Sequence, residues 1–222
     1  MKKNIFYVMI IFLFITAGTV FAQNTQELRV GSTLSGNLGR GQEIIYSVTA
    51  TQTGTLTVET TGSVDTYLEV YYTDWNYIAE NDDGPNGYNA RLSINVLKGD
   101  SYFFVLTGYD ENVSGRFGIS ATITPFTQLH SGLAYNSRIV EEEYIIFSFT
   151  ADRNGILVAE TSGSTDTFIT LYDENFFELD HDDDGAGYPN DKLTYRVTSG
   201  TIYYIEVGAY ESGPFTITAR IQ

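Results

Sequence analysis

"GTLTVETTGSVDTYLEVY", Gly54 to Tyr71, returns as "GILVAETSGSTDTFITLY", Gly155 to Tyr172. Either copy alone reads as strand, turn, strand. Together they decide the organisation of the chain. "EIIYSVTA" (Glu43 to Ala50) likewise returns as "YIIFSFTA" (Tyr144 to Ala151), and "NDDG" (Asn81 to Gly84) as "DDDG" (Asp182 to Gly185). "GDSYFFVLTGY" (Gly99 to Tyr109) returns as "GTIYYIEVGAY" (Gly200 to Tyr210). An offset of 101 residues carries Asp65 onto Asp166 and Tyr109 onto Tyr210. The second copy then becomes three residues shorter, since Gly115 matches Gly213. The repeat predicts two modules, 27–124 and 127–222, with Pro125 in the join. Each has an ordinary domain size.

Within a module, "TFITLY" (Thr167 to Tyr172), "KLTYRV" (Lys192 to Val197) and "IYYIEVGAY" (Ile202 to Tyr210) alternate with Gly, Asn, Asp and Ser clusters. Tyr, Phe, Thr, Val and Ile are abundant, and no long segment beyond the first residues has helical periodicity. In "YYIEV", Tyr203, Ile205 and Val207 share one face, while Tyr204 and Glu206 share the other. The glutamate marks the outer face, so the first set is expected in the core, with Tyr102, Phe104 and Leu106 as its match in module one. The predicted fold class is all-β, two tandem jelly-roll-like β-sandwich domains after a signal peptide.

Residues 1–22 carry the signal-peptide pattern: Lys2 and Lys3, an apolar run from Ile5 to Val20, and a small residue, Ala22, before the expected cut. An exported chain with no membrane span after cleavage is therefore expected, in the periplasm or outside the cell. It has no cysteine, so no disulfide framework supports it. Of 222 residues, 28 are acidic and 12 basic, for a formal charge of −16; losing Lys2 and Lys3 makes it 10 against 28, or −18. That balance disfavours nucleic acid and anionic membrane as partners and suits cations.

The acidic stretch "LDHDDDGAGYPND", Leu179 to Asp191, has Asp180, Asp182 and Asp184 at alternate positions, then Gly185, with Asp191 twelfth from Asp180. This is the spacing of a calcium loop, with Asp where Glu is usual at the end. The flanks read as strands, so a helix–loop–helix is excluded. The same residues also suit a plain acidic turn. Module one has Ala79, Asn81, Asp83, Gly84 and Ala90 at the matching places, a poorer set. Shared by both copies are Asp65/Asp166 and the pairs Asp82–Asp83/Asp183–Asp184. The expected metal ligands are Asp166, Asp180, Asp182, Asp184 and Asp191 in module two, and Asp65, Asp82 and Asp83 in module one. Asp166 is expected to meet Asp182 and Asp184, with Glu160 a further candidate. Ca2+ is the cofactor this chemistry favours, mainly in the second domain.

An enzyme is not expected. There is no cysteine nucleophile, and neither His130 nor His181 has a counterpart in the other copy. Ser63 and Ser164 in "GS.DT" read as turn residues. Phe103, Tyr204, Tyr67 and Phe168 fall on the outer strand face and form the expected ligand surface for protein fibres or sugars. The competing reading is that these rings cover the edges of a thin sandwich.

The ordered series "ETTGSVDTYLEVY…IAENDDGPNGYNARLSINVLKGDSYFFVLTGY" resembles the bacterial pre-peptidase C-terminal domain family. Module two carries the series in weaker form. The resemblance implies a jelly-roll β-sandwich that accompanies secreted peptidases. It is distantly similar to the collagen-binding domains of collagenases, some of which bind calcium and use sheet-surface aromatics. This sequence carries no peptidase domain beside the two modules. The expected function is exported, non-catalytic binding or adhesion to an extracellular protein or polysaccharide, supported by calcium. The alternative is an accessory subunit that targets or stabilises a separately encoded secreted peptidase.

Overall fold

The computed structural model describes residues 25–84, 87–141 and 143–222. The expected signal peptide lies outside the described residues. One compact unit is built from residues up to Gln52 and from Leu56–Ile123, the other mainly from Thr124–Gln222.

The first unit contains β1 (Thr25–Glu27), β2 (Thr33–Leu38), β3 (Ile44–Thr49), β4 (Gly54–Gly62), β5 (Thr66–Tyr72), β6 (Tyr77–Asn81), β7 (Arg91–Val96), β8 (Ser101–Gly108) and β9 (Gly115–Thr124). They form a five-stranded sheet in the order β1-β3-β8-β5-β6 and a four-stranded sheet in the order β2-β9-β4-β7. Strand β1 starts two residues before the expected module boundary because Thr25 pairs in parallel with Ile45.

The second unit repeats this plan with β10 (Thr127–Leu129), β11 (Ala134–Ile139), β12 (Tyr144–Thr150), β13 (Gly155–Gly163), β14 (Thr167–Tyr172), β15 (Glu178–Asp182), β16 (Lys192–Val197), β17 (Ile202–Ala209) and β18 (Gly213–Ile221). Its sheets run β10-β12-β17-β14-β15 and β11-β18-β13-β16. Each unit is an all-β sandwich. Among the described residues no helix is long and apolar enough to cross a membrane.

Strand alternation sends one side chain in two to the space between the sheets. Leu56 and Val58 from β4 meet Leu68, Val70, Phe104 and Leu106 from the facing sheet in one apolar cluster. Leu157, Ala159, Ile169, Leu171, Ile205 and Val207 do the same in the second unit. The inner sets Tyr102–Phe104–Leu106 and Tyr203–Ile205–Val207 are buried, as the alternation predicts.

Candidate metal site and ligand surface

The site lies where β14 begins and where the chain leaves β15. Strand parity decides which aspartates gather there. Thr167, Ile169 and Leu171 are buried, while Asp166 and Phe168 stand on the other side and stay half-buried. Asp182 pairs with Ile169 and Asp180 with Leu171, so both aspartates share the inner side of the sheet at its edge strand. They cannot approach Asp166 on the outer side. Asp183 and Asp184, beyond the strand end, can. Carboxylate oxygens of Asp166, Asp183 and Asp184 all lie within 4.8 Å of one another. Among the described residues no other three His, Cys, Asp or Glu side chains do so.

Of the expected ligand set in module two, the structure brings Asp166 and Asp184 together and sets the others apart. Asp180 is exposed, and its carboxylate accepts a hydrogen bond from the His181 backbone at 3.0 Å. Asp182 is a turn cap: its Oδ1 accepts from Gly185 N and Lys192 N, both at 2.8 Å. A Cβ at Gly185 would meet the Asp182 carboxylate and displace it from this cap. The sharp reversal belongs to Asp184, which takes a left-handed φ of 71°. Asp191 is fully buried and holds the loop from beneath. Its Oδ2 accepts from Thr161 Oγ1 at 2.8 Å and Thr167 Oγ1 at 2.6 Å, and its Oδ1 accepts from Asp184 N at 3.2 Å. Burial pushes the Asp191 carboxyl above its ordinary range, against the pull of these donors. Glu160 is committed elsewhere. Lys192 at 2.8 Å and Arg220 at 2.5 Å clasp it, and their hydrogen bonds hold its pKa down to about 2.

Asp183 is the residue that alternate spacing overlooks. Alignment of the two copies does point to it, as the partner of Asp82. Tyr210 OH donates to Asp183 Oδ2 at 3.2 Å, and Tyr210 N donates to the Asp166 carbonyl at 3.0 Å. Desolvation, then the charges of Asp184, Asp183 and Glu211, raise the Asp166 carboxyl. Module one brings the matching residues to one hollow but does not draw their carboxylates as close together. Asp65, Asp82 and Asp83 line one hollow with Gly87, Tyr88 and Tyr109. Tyr109 N donates to the Asp65 carbonyl at 3.1 Å. The Asp65 carboxyl is raised by desolvation and by Asp83, Asp82 and Asp110. Three clustered carboxylates suit a hard divalent cation that takes oxygen ligands.

The outer-face aromatics are present but mostly covered. Trp75, at a left-handed φ of 66°, folds back and stacks on Phe103 with ring centroids 4.9 Å apart. Phe176, its repeat partner, has φ 61° and stacks on Tyr204 at 4.5 Å. Phe126 packs on the same Tyr204 ring at 5.6 Å. Tyr204 is therefore only 5% exposed. Phe103 is the floor under Trp75. Tyr67 is half-buried, and burial followed by Glu80 raises its hydroxyl pKa. Of the four, Phe168 joins a hollow with Glu141, Glu143, Tyr144, Ala209 and Tyr210, and Tyr204 joins another with Pro125, Phe126, Gln128, Ser148 and Ile202.

Residues 42–108 match the model of a known family. That family is the bacterial pre-peptidase C-terminal domain. The match spans β8, β5 and the acidic loop of module one, the elements that build its half of the repeated site. Among solved structures, the pre-peptidase C-terminal domain of a collagenase from Bacillus anthracis is 16% identical, with a TM-score of 0.37. That alignment covers 44% of this chain and 94% of the collagenase domain. The CUB1-EGF-CUB2 domains of rat MASP-1 are 8% identical at a TM-score of 0.26, covering 87% of this chain and 99% of that one. No curated protein matches the chain.

Proposed function

We propose that this is an exported, non-catalytic binding and adhesion protein whose two pre-peptidase C-terminal-type modules are stabilised by calcium. The observation that carries the reading is the duplicated acidic–aromatic end of the sandwich, Asp65–Asp82–Asp83–Tyr109 and Asp166–Asp183–Asp184–Tyr210, within a frame whose first copy matches that family. Asp166, Asp183 and Asp184 would hold the ion, with waters and backbone carbonyls completing its oxygen shell. The ion would neutralise like charges that otherwise repel across the loop. It would thus substitute for the disulfides that this chain, without cysteine, does not have.

The test is retention of the mature chain, Gln23 onward, on immobilised collagen, glycan and bacterial cell wall, in calcium and in EDTA. Calcium-strengthened retention on one of them is expected. Absence of retention, with co-purification of a secreted peptidase, would overturn adhesion in favour of the accessory-subunit reading.

A further inference from the structure

We infer that the hollow on module two is a receptor for a cationic side chain, a lysine or arginine presented by a partner polypeptide. The inference rests on the binding-protein reading and names the chemistry of one contact. Three rings bound the hollow. Tyr144 meets Phe168 at 6.0 Å with planes 72° apart, and Phe168 meets Tyr210 at 5.2 Å with planes 47° apart. These tilts make walls, whereas stacking on a flat sugar face calls for a platform of nearly parallel rings. Rings tilted to one another around a hollow suit a compact cation.

The rings are available and held in place. Tyr144 is 58% exposed and Tyr210 56% exposed. The Phe168 ring approaches Gly208 so closely that a Cβ there would collide with it. Tyr210 is anchored through its hydroxyl to Asp183. Glu141 and Glu143 add carboxylates to the same wall, and among the described residues no basic one lines it. The Glu141 backbone N–H donates to Ser212 Oγ at 2.9 Å, which ties the β11–β12 connection to the β17–β18 turn. Rings and carboxylates together attract a cation and reject an anion, and the chain's charge of −16 acts in the same direction.

Module one lacks this receptor. At the repeat positions of Glu141, Glu143, Tyr144 and Gly208 it has Arg40, Gln42, Glu43 and Thr107. One ring is lost, one carboxylate is replaced by a guanidinium, and the glycine that seats the Phe168 ring is gone.

The experiment is an NMR titration of the mature chain, in EDTA, with hexalysine, hexaglutamate and maltohexaose. Hexalysine is expected to shift the Tyr144, Phe168 and Tyr210 ring signals, and the other two are not. Tyr144→Ala should weaken hexalysine binding about two- to fivefold, the loss of one exposed cation–π contact. Glu141→Arg, which installs the module-one residue, should weaken it about tenfold through like-charge repulsion. Glu143→Gln, a surface change that leaves the rings alone, should show a smaller loss in the same direction. Equal hexalysine affinity in all variants would overturn the receptor and assign binding to diffuse charge. Ring shifts with maltohexaose but not hexalysine would overturn it in favour of a sugar. Retention of Tyr144→Ala on its matrix would, in either case, leave the broader binding reading intact.

Discussion

Both modules place two threonines side by side beneath the acidic loop. In module one Thr60 and Thr66 are 2.6 Å apart, and Ala90 N donates to Thr66 Oγ1. In module two Thr161 and Thr167 are 2.9 Å apart, and the residue at the place of Ala90 is Asp191. Its carboxylate accepts from both hydroxyls and from the Asp184 backbone. One substitution in the repeat thus turns a neutral hydroxyl pair into an anchor for the acidic loop. The frame is common to the two modules, whereas the way the loop is held is not.

Several changes would break or sharpen that comparison. The largest effect is expected where the modules agree. Trp75→Ala should cost about 3 kcal/mol and Phe176→Ala about 2 kcal/mol, since each ring covers a partner on the outer face of its five-stranded sheet and is itself half-buried. Denaturant unfolding would show it, and a loss confined to one of the two would refute a shared device. Next, Asp191→Ala should cost about 2 kcal/mol, because Asp184 N and two hydroxyls lose their acceptor. Faster amide exchange at Asp184 should accompany it.

A smaller contrast separates the outer ion pairs. Glu160→Gln should cost about 1 kcal/mol, reduced from the full linkage value by solvent at Lys192 and Arg220. Glu59→Gln should cost only a few tenths of a kcal/mol, as Arg91 sits 3.9 Å away and half-exposed. The Glu160 pKa is depressed from 4.5 to about 2, so its contribution is present above pH 4.5 and fades as pH falls toward 2. A wild-type acid titration without that extra loss relative to Glu160→Gln would refute the clasp.

Asp65 and Asp166 carry the opposite sign. Their folded pKa values are raised above 3.8, so their contribution is full below that pH and is lost as pH rises through the folded values. In EDTA, Asp166→Asn should therefore raise the unfolding midpoint at pH 7. In calcium, the same change should lower it. A single direction in both buffers would contradict the placement of an ion beside Asp166.

The sequence was most legible where period-two alternation and the repeat agree. Tyr203, Ile205 and Val207 are core because the strand face is set by parity, and their copy in module one obeys the same rule. The acidic loop was less legible because a spacing motif assumes which way side chains point. Asp180 and Asp182 are still in a strand and face inward, while Asp183 and Asp184 lie past it. A one-residue shift there changes faces. Asp191 was misread for a related reason. Its donor partners Thr161 and Thr167 stand 30 and 24 residues away, and only the folded sheets bring them together. The ring covers depended on left-handed turns at Trp75 and Phe176, which residue type does not announce.

The most direct measurement is thermal unfolding of the mature chain in EDTA and in 1 mM calcium, for wild type, Asp183→Ala/Asp184→Ala and Asp180→Ala. A site binding calcium at ~0.1 mM would contribute about 1.4 kcal/mol, or roughly 5–10 °C for a domain of this size. The rise should vanish in the double variant and persist in Asp180→Ala. No rise in wild type, or an equal loss in Asp180→Ala, would contradict a calcium centre at Asp166, Asp183 and Asp184.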